Sequence, residues 1–151
     1  MILVSSCLGG IECRYNGSHA ASEKIRKLIE EKQAVMACPE LLGGFSTPRE
    51  PAEIIGGTGE DVLSGAAKII TSSGEDVTDL YMKGAAQTLA YAKEINASAV
   101  ILKENSPSCG SNFIYNGSFS GKKIAGNGVT AALLKQAGYR VISENQLDDI
   151  L

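Results

Sequence analysis

The sequence predicts an α/β fold of three layers, in which helices cover a mainly parallel sheet and one small β-hairpin excursion interrupts the alternation. Three observations predict it. Short apolar runs at Met1-Ile2-Leu3-Val4, Ala34 to Ala37 and Ala99-Val100-Ile101-Leu102 read as buried strands. Helical segments fall between them, so strand, helix and strand follow one another as a parallel crossover requires. The 151 residues are 44% hydrophobic and 21% charged, which suits one domain over 1–151. A chain of this size buries about 70% of its unfolded surface and needs no disulfide staple.

Met1 to Ser6 opens the chain as a strand. Ser22 to Lys32 is an amphipathic helix, with Ile25, Leu28 and Ile29 on one face among Glu and Lys. Ala34 to Ala37 is the second strand, after which Pro39 and Leu41-Leu42-Gly43-Gly44 lead into an irregular stretch through Thr47-Pro48-Arg49-Glu50-Pro51. Ala52 to Ile55 and Ala67 to Thr71 have β character around a Gly-rich, acidic interval, which predicts the hairpin-like excursion. Asp76-Val77-Thr78-Asp79 carries cap chemistry for a long helix with Leu80, Gly84, Leu89 and Ala92 near one face. Ser98 to Lys103 is a third strand, continuous enough in apolar residues to be buried on both faces. The chain is then irregular until Asn127, which precedes a helix over Val129 to Gln136 that Gly138 ends. Tyr139 to Ser143 is the last strand, and 147–151 a short terminal turn. Tyr-Asn-Gly occurs at Tyr15 and at Tyr115, but the two segments share a turn signal and little else.

The 14 Lys and Arg against 17 Asp and Glu give a net charge of -3, which offers no footprint for a duplex nucleic acid. No basic stretch precedes the first apolar run, and no run nears the roughly 20 residues of a membrane span, so a cytoplasmic protein is expected. In that reducing compartment the four cysteines serve metal binding or catalysis more readily than disulfides, or simply fill space as small apolar residues. None of them stands at C-x-x-C spacing. Cys7 follows the first strand, Cys38 the second and Cys109 the third, so all three gather at the carboxyl edge of the sheet, where α/β proteins bind ligands. Three thiolates make a soft-metal site and leave one position for substrate.

The segments Val4-Ser5-Ser6-Cys7-Leu8-Gly9-Gly10, Cys13-Arg14-Tyr15-Asn16-Gly17, Cys38-Pro39-Glu40, Pro48-Arg49-Glu50-Pro51, Ser106-Pro107-Ser108-Cys109-Gly110 and Gly126-Asn127-Gly128-Val129-Thr130-Ala131 resemble the DUF523 family. The likeness covers nearly the whole chain. The family includes thiouracil desulfurases with a Rossmann-like catalytic domain and an oxygen-sensitive [4Fe-4S] cluster on three cysteines. The resemblance implies that Cys7, Cys38 and Cys109 are the cluster ligands and that Cys13 is an extra thiol. It also implies a non-redox reaction in which the iron without a protein ligand binds the sulfur of a thiolated base while water attacks the carbon. The second, C-terminal domain of longer desulfurases has no counterpart here, and the substrate stays open.

Glu40, two positions beyond Cys38, is the candidate general base or acid, with Glu50 and Glu53 as rivals and a solvated loop carboxylate as the plain alternative. Ser106 and Ser108 flank Cys109 as candidate catalytic hydroxyls, and Ser111 as a candidate for substrate binding, although such serines commonly cap turns. Arg14 and Arg49 can bind an anionic substrate or the thiolate assembly, or can pair with Glu12 and Glu50. Lys103 can favour thiolate at Cys109 or merely extend along the strand end. His19 reads as solvated. Gly126-x-Gly128-x-x-Ala131 has the form of a dinucleotide fingerprint, or of a tight loop feeding a buried helix. Besides the desulfurase, two readings remain: a nucleotide-binding module with buried cysteines, and a structural zinc site of three cysteines completed by Glu40.

Overall fold

The computed structural model describes residues 1–149, so the end of the terminal turn expected over 147–151 lies outside the described residues. Strand β1 (Ile2–Ser5), helix α1 (Glu23–Glu30) and strand β2 (Ala34–Ala37) form the first crossover. The one-turn helix α2 (Pro39–Leu42) follows, then β3 (Ala52–Ile55), α3 (Gly59–Ser64) and β4 (Lys68–Thr71). The long α4 (Thr78–Glu94) returns the chain to β5 (Ala99–Leu102). A small hairpin of β6 (Phe113–Tyr115) and β7 (Lys123–Ala125) precedes α5 (Val129–Gln136) and β8 (Val141–Ser143).

The central sheet has the order β2-β1-β5-β8, with every pair parallel. Alternation along the strands builds two core layers. Val4, Ile101 and Ile142 pack toward Ile25 and Leu28 of α1, whereas Leu3, Val100 and Leu102 pack toward Ala92 of α4 and Leu134 of α5. The fold is therefore the three-layer α/β arrangement that the sequence predicts. The chain runs outward from β1 to β2 and then crosses back to place β5 on the other side of β1. The reversal leaves a crevice between the carboxyl ends of β1 and β5, the place where open α/β sheets bind ligands.

Three features depart from the expected elements. The stretch after Cys38 is helical for one turn, because Pro39 at the first position is preorganised for a helix start. The Gly-rich interval between β3 and β4 holds α3, whose start is fixed by Thr58 N donating to Asp61 Oδ2 at 2.8 Å. β3 and β4 pair antiparallel as expected, but around a helix rather than a turn. The third is the β6–β7 hairpin in the irregular region, whose β7 is exposed throughout and so carries no buried apolar pattern. Gly84 lets α2 lie directly on α4: a Cβ there would collide with the Pro39 carbonyl. That contact sets the position of the next residue, Glu40.

Candidate active site

All four cysteines line one cavity of about 400 Å³ at the carboxyl edge of the sheet. Cys7 sits on the 3-10 turn Ser6–Gly9 that ends β1, Cys38 caps α2 at the end of β2, and Cys109 follows β5. Cys7, Cys13 and Cys109 are buried, Cys38 is half-buried, and all are free thiols. Cys13 lines the cavity together with Cys7 and Cys38. The thiol read as an extra therefore belongs to the same cavity as the other three. Interaction with the Cys38 side chain lowers the Cys13 pKa, but interaction with Cys7 and burial outweigh it and push it up to about 11. Cys38 is raised well above the ordinary thiol range by its interaction with Cys13, burial and the charge of Glu40. Cys109 is raised by burial first and then by Glu40 and Cys38. Such thiols keep their protons unless a metal displaces them.

Glu40 divides its carboxylate between two partners. Its Oε2 accepts from Arg49 Nη2 at 3.2 Å, in an ion pair whose side chains are 12% and 7% exposed. Its Oε1 faces the Cys109 thiol at 3.9 Å. Arg49 also donates from Nη1 to the Cys13 carbonyl at 3.0 Å and lies over the Phe45 ring. One guanidinium thus joins the Glu40 and Cys13 segments, so Arg49 is committed to Glu40 and not to Glu50. Glu50 is exposed and accepts from Ser73 Oγ. The sequence offered no sign of this pairing. Tyr81 of α4 also lines the cavity beside Arg49 and packs against Phe45, with centroids 4.8 Å apart and the rings tilted by 57°. Burial, then the charge of Glu40, push its phenol above the ordinary range. It was missed because on sequence it is one more helical aromatic.

The serines around Cys109 separate. Ser106 lines the cavity, and its Oγ accepts from Cys109 N at 2.7 Å and Ser108 N at 3.2 Å, the turn-capping arrangement. Ser108 does not line the cavity; its hydroxyl pairs with Thr130 Oγ1 at 2.7 Å and lies 3.7 Å from the Cys109 sulfur. Ser111 is also outside the lining, with its N–H on Glu104 Oε1 and its carbonyl accepting from Lys135 Nζ. Arg14 lines the cavity, and among the described residues neither Glu12 nor any other carboxylate pairs with it. Lys103 pairs with Glu144 at 2.9 Å rather than addressing Cys109. Glu53 is buried and holds the N–H groups of Gly117 and Phe119. His19 is exposed, its Nδ1 accepting from Ala21 N.

Glu104, which the sequence reading passed over, organises the Cys109 loop. It is buried, and its Oε1 accepts from the N–H groups of Ser111, Asn112 and Phe113 at 2.8, 3.0 and 3.1 Å. The start of α5 clamps the same loop. Gly128 N donates to Gly110 O, Val129 N to Pro107 O, and Thr130 N to Ser108 O, at 2.7 to 2.9 Å. A Cβ on Gly128 would run into the Ser108 carbonyl. The glycine motif at 126–131 thus grips a loop, and its amides are not free to cradle a phosphate. Asn127 is occupied too, by Lys135 and Glu60.

The donor set is soft, with four thiols and no histidine in the cavity lining, which fits iron and sulfide better than a hard cation. Among the described residues no three of His, Cys, Asp and Glu stand close enough together to hold a single metal ion. In a cubane each cysteine takes a different iron, so its ligands stand around a cavity rather than at one point.

Comparison with known proteins agrees with this chemistry. A curated Bacillus subtilis (strain 168) protein, the uncharacterized protein YbbK, is 89% identical over 151 residues, covering all of both chains. The solved structure of the [4Fe-4S]-dependent thiouracil desulfidase TudS (DUF523Vcz) superposes with a TM-score of 0.87 at 42% identity, over 99% of this chain and 93% of that one. Residues 2–146 match the 2-thiouracil desulfurase family. With Cys7, Cys38 and Cys109 following three parallel strands and that match running through all of them, the chain belongs to the 2-thiouracil desulfurase family.

Proposed function

We propose that this protein is a [4Fe-4S]-dependent, non-redox desulfidase of thiouracil or a similar small thioamide, acting in the cytoplasm as one catalytic domain with no nucleic-acid or membrane partner. The observation that carries the reading is the cavity itself, in which four thiols surround a carboxylate held by a buried arginine. No described helix is long and apolar enough to cross a membrane. Cys7, Cys38 and Cys109 are the ligands assigned to the cluster. When bound, the cluster supplies a Lewis-acidic iron for the thiocarbonyl sulfur, which leaves the substrate carbon open to water.

The chain's own residues supply the rest. Glu40 Oε1 takes a proton from the attacking water, and Arg49 keeps the carboxylate turned toward the thiols by holding Oε2. Oxygen replaces sulfur at carbon and sulfide leaves with the protons of one water, so no electrons are exchanged. Arg14 lines the cavity without a carboxylate partner among the described residues and can offset negative charge on the substrate. Ser106 acts by shaping the loop that presents Cys109.

Anaerobic reconstitution with iron and sulfide tests the reading. A brown protein that releases sulfide from 2-thiouracil is expected, with colour lost in Cys7→Ser, Cys38→Ser and Cys109→Ser. In Glu40→Gln the colour should stay and turnover fall at least a hundredfold. Full turnover by the colourless protein would overturn the assignment.

A further inference from the structure

The two Tyr-Asn-Gly segments share far more than a turn signal. Each continues into serine, giving Tyr15-Asn16-Gly17-Ser18 and Tyr115-Asn116-Gly117-Ser118, and each makes the same asparagine–serine hydrogen bonds. Asn16 Oδ1 accepts from Ser18 N at 3.1 Å and Ser18 Oγ at 2.5 Å; Asn116 Oδ1 accepts from Ser118 N at 3.0 Å and Ser118 Oγ at 2.6 Å. Both glycines have positive φ, 77° and 91°. Such turns hold the preceding residue in a fixed direction.

Both turns are anchored to the same short segment. Arg49 N donates to the Tyr15 carbonyl at 2.6 Å, and Glu53 Oε1 accepts from Gly117 N at 2.9 Å. Residues 49 and 53 lie within about 14 Å of each other along the chain, so the two turns are fastened close together. Both line the cavity of the four thiols. Tyr15 is 42% exposed, an aromatic left largely uncovered by the protein. Lys123 Nζ lies over the Tyr115 ring, 5.9 Å from its centroid, and of the two only Tyr115 lines the cavity.

We propose that Tyr15 and Tyr115 are the walls of a stacking slot that receives the planar heterocyclic ring of the substrate. The proposal rests on the desulfidase reading and deepens it. The slot selects flat aromatic thioamides over open-chain ones by ring contact, independently of the sulfur that the thiol end of the cavity handles. An aromatic face stacks on any base, so the slot reads planarity and leaves the exocyclic groups to polar residues deeper in the cavity.

Uracil, which lacks the reactive sulfur, separates the slot from the chemistry. In reconstituted protein, Tyr15→Ala and Tyr115→Ala should each weaken binding of uracil and of 2-thiouracil about tenfold by calorimetry. Tyr15→Phe and Tyr115→Phe should restore binding, since the ring is kept, and visible absorption should be unchanged in all four. Wild-type uracil affinity in the alanine variants, no uracil binding by wild type, or phenylalanine variants as weak as the alanine ones overturns the slot. Loss of uracil binding in the alanine variants, with no sulfide released from 2-thiouracil by wild type, upholds the slot and overturns the desulfidase reading instead.

Discussion

The loops that carry Cys109 and Cys13 reach the same cavity by opposite means. The Cys109 loop is over-determined: Glu104 takes three of its N–H groups, Ser106 caps it from within, and the first amides of α5 take its carbonyls. The Cys13 loop is tied more sparsely. Ile11 N bonds back to Ser6 O and Ala20 N to Cys7 O, Ile11 and Tyr15 are exposed, and between those ends Arg49 holds the carbonyls of Cys13 and Tyr15 above a buried Cys13 side chain. One thiol is positioned by a scaffold that folds whether or not the cavity is complete. The other is positioned by a residue of the cavity itself, the cation that also aims Glu40.

Removing the scaffold of the firm loop should have the largest effect. Glu104→Ala leaves three buried donors without an acceptor and should cost about 4 kcal/mol in urea unfolding, with faster thiol labelling of Cys109 in cluster-free protein. A loss below about 1 kcal/mol would mean that α5 alone holds the loop. Arg49→Met comes next, at about 3 kcal/mol, because Glu40 is left nearly buried without its cation. Adding Glu40→Gln should recover most of that stability and none of the sulfide release, whereas Arg49→Lys should recover little, since an ammonium cannot span Glu40 and the Cys13 carbonyl. The smallest effect is that of pH. Burial raises the Glu104 pKa, but hydrogen bonds from Asn112, Phe113 and Ser111 outweigh it and hold it below the usual carboxylate range. With the folded value depressed, its contribution is complete above the unfolded pKa of about 4.3 and fades as pH falls through the folded one. The stability gap between wild type and Glu104→Gln, present near neutrality, should therefore narrow as pH falls through the folded value.

Elements with strong local signals were legible in the sequence. The apolar runs gave β1, β2 and β5, and α5 was bounded at Val129 and Gln136 by a glycine on either side. With them came the convergence of Cys7, Cys38 and Cys109, since that depends only on residues following strand ends. What was hidden is what depends on contacts distant in sequence. Cys13 lies in a long loop whose course no local pattern predicts, and Glu40 pairs with Arg49 across nine residues and an irregular stretch. Glu104 carries no local signal just beyond the third strand, although its carboxylate folds the next nine residues around itself. The Gly126–Ala131 motif was ambiguous on sequence, and its amides, spent within the chain, favour the tight loop feeding a buried helix over the dinucleotide reading.

That last arrangement makes one event of two. The amides of Gly128, Val129 and Thr130 close the first turn of α5 onto the Cys109 loop, so fraying of that turn and release of the loop cannot occur separately. Hydrogen–deuterium exchange at those three backbone positions therefore clocks how often the Cys109 sulfur swings away from its neighbours, a reading available without any label on the thiol itself.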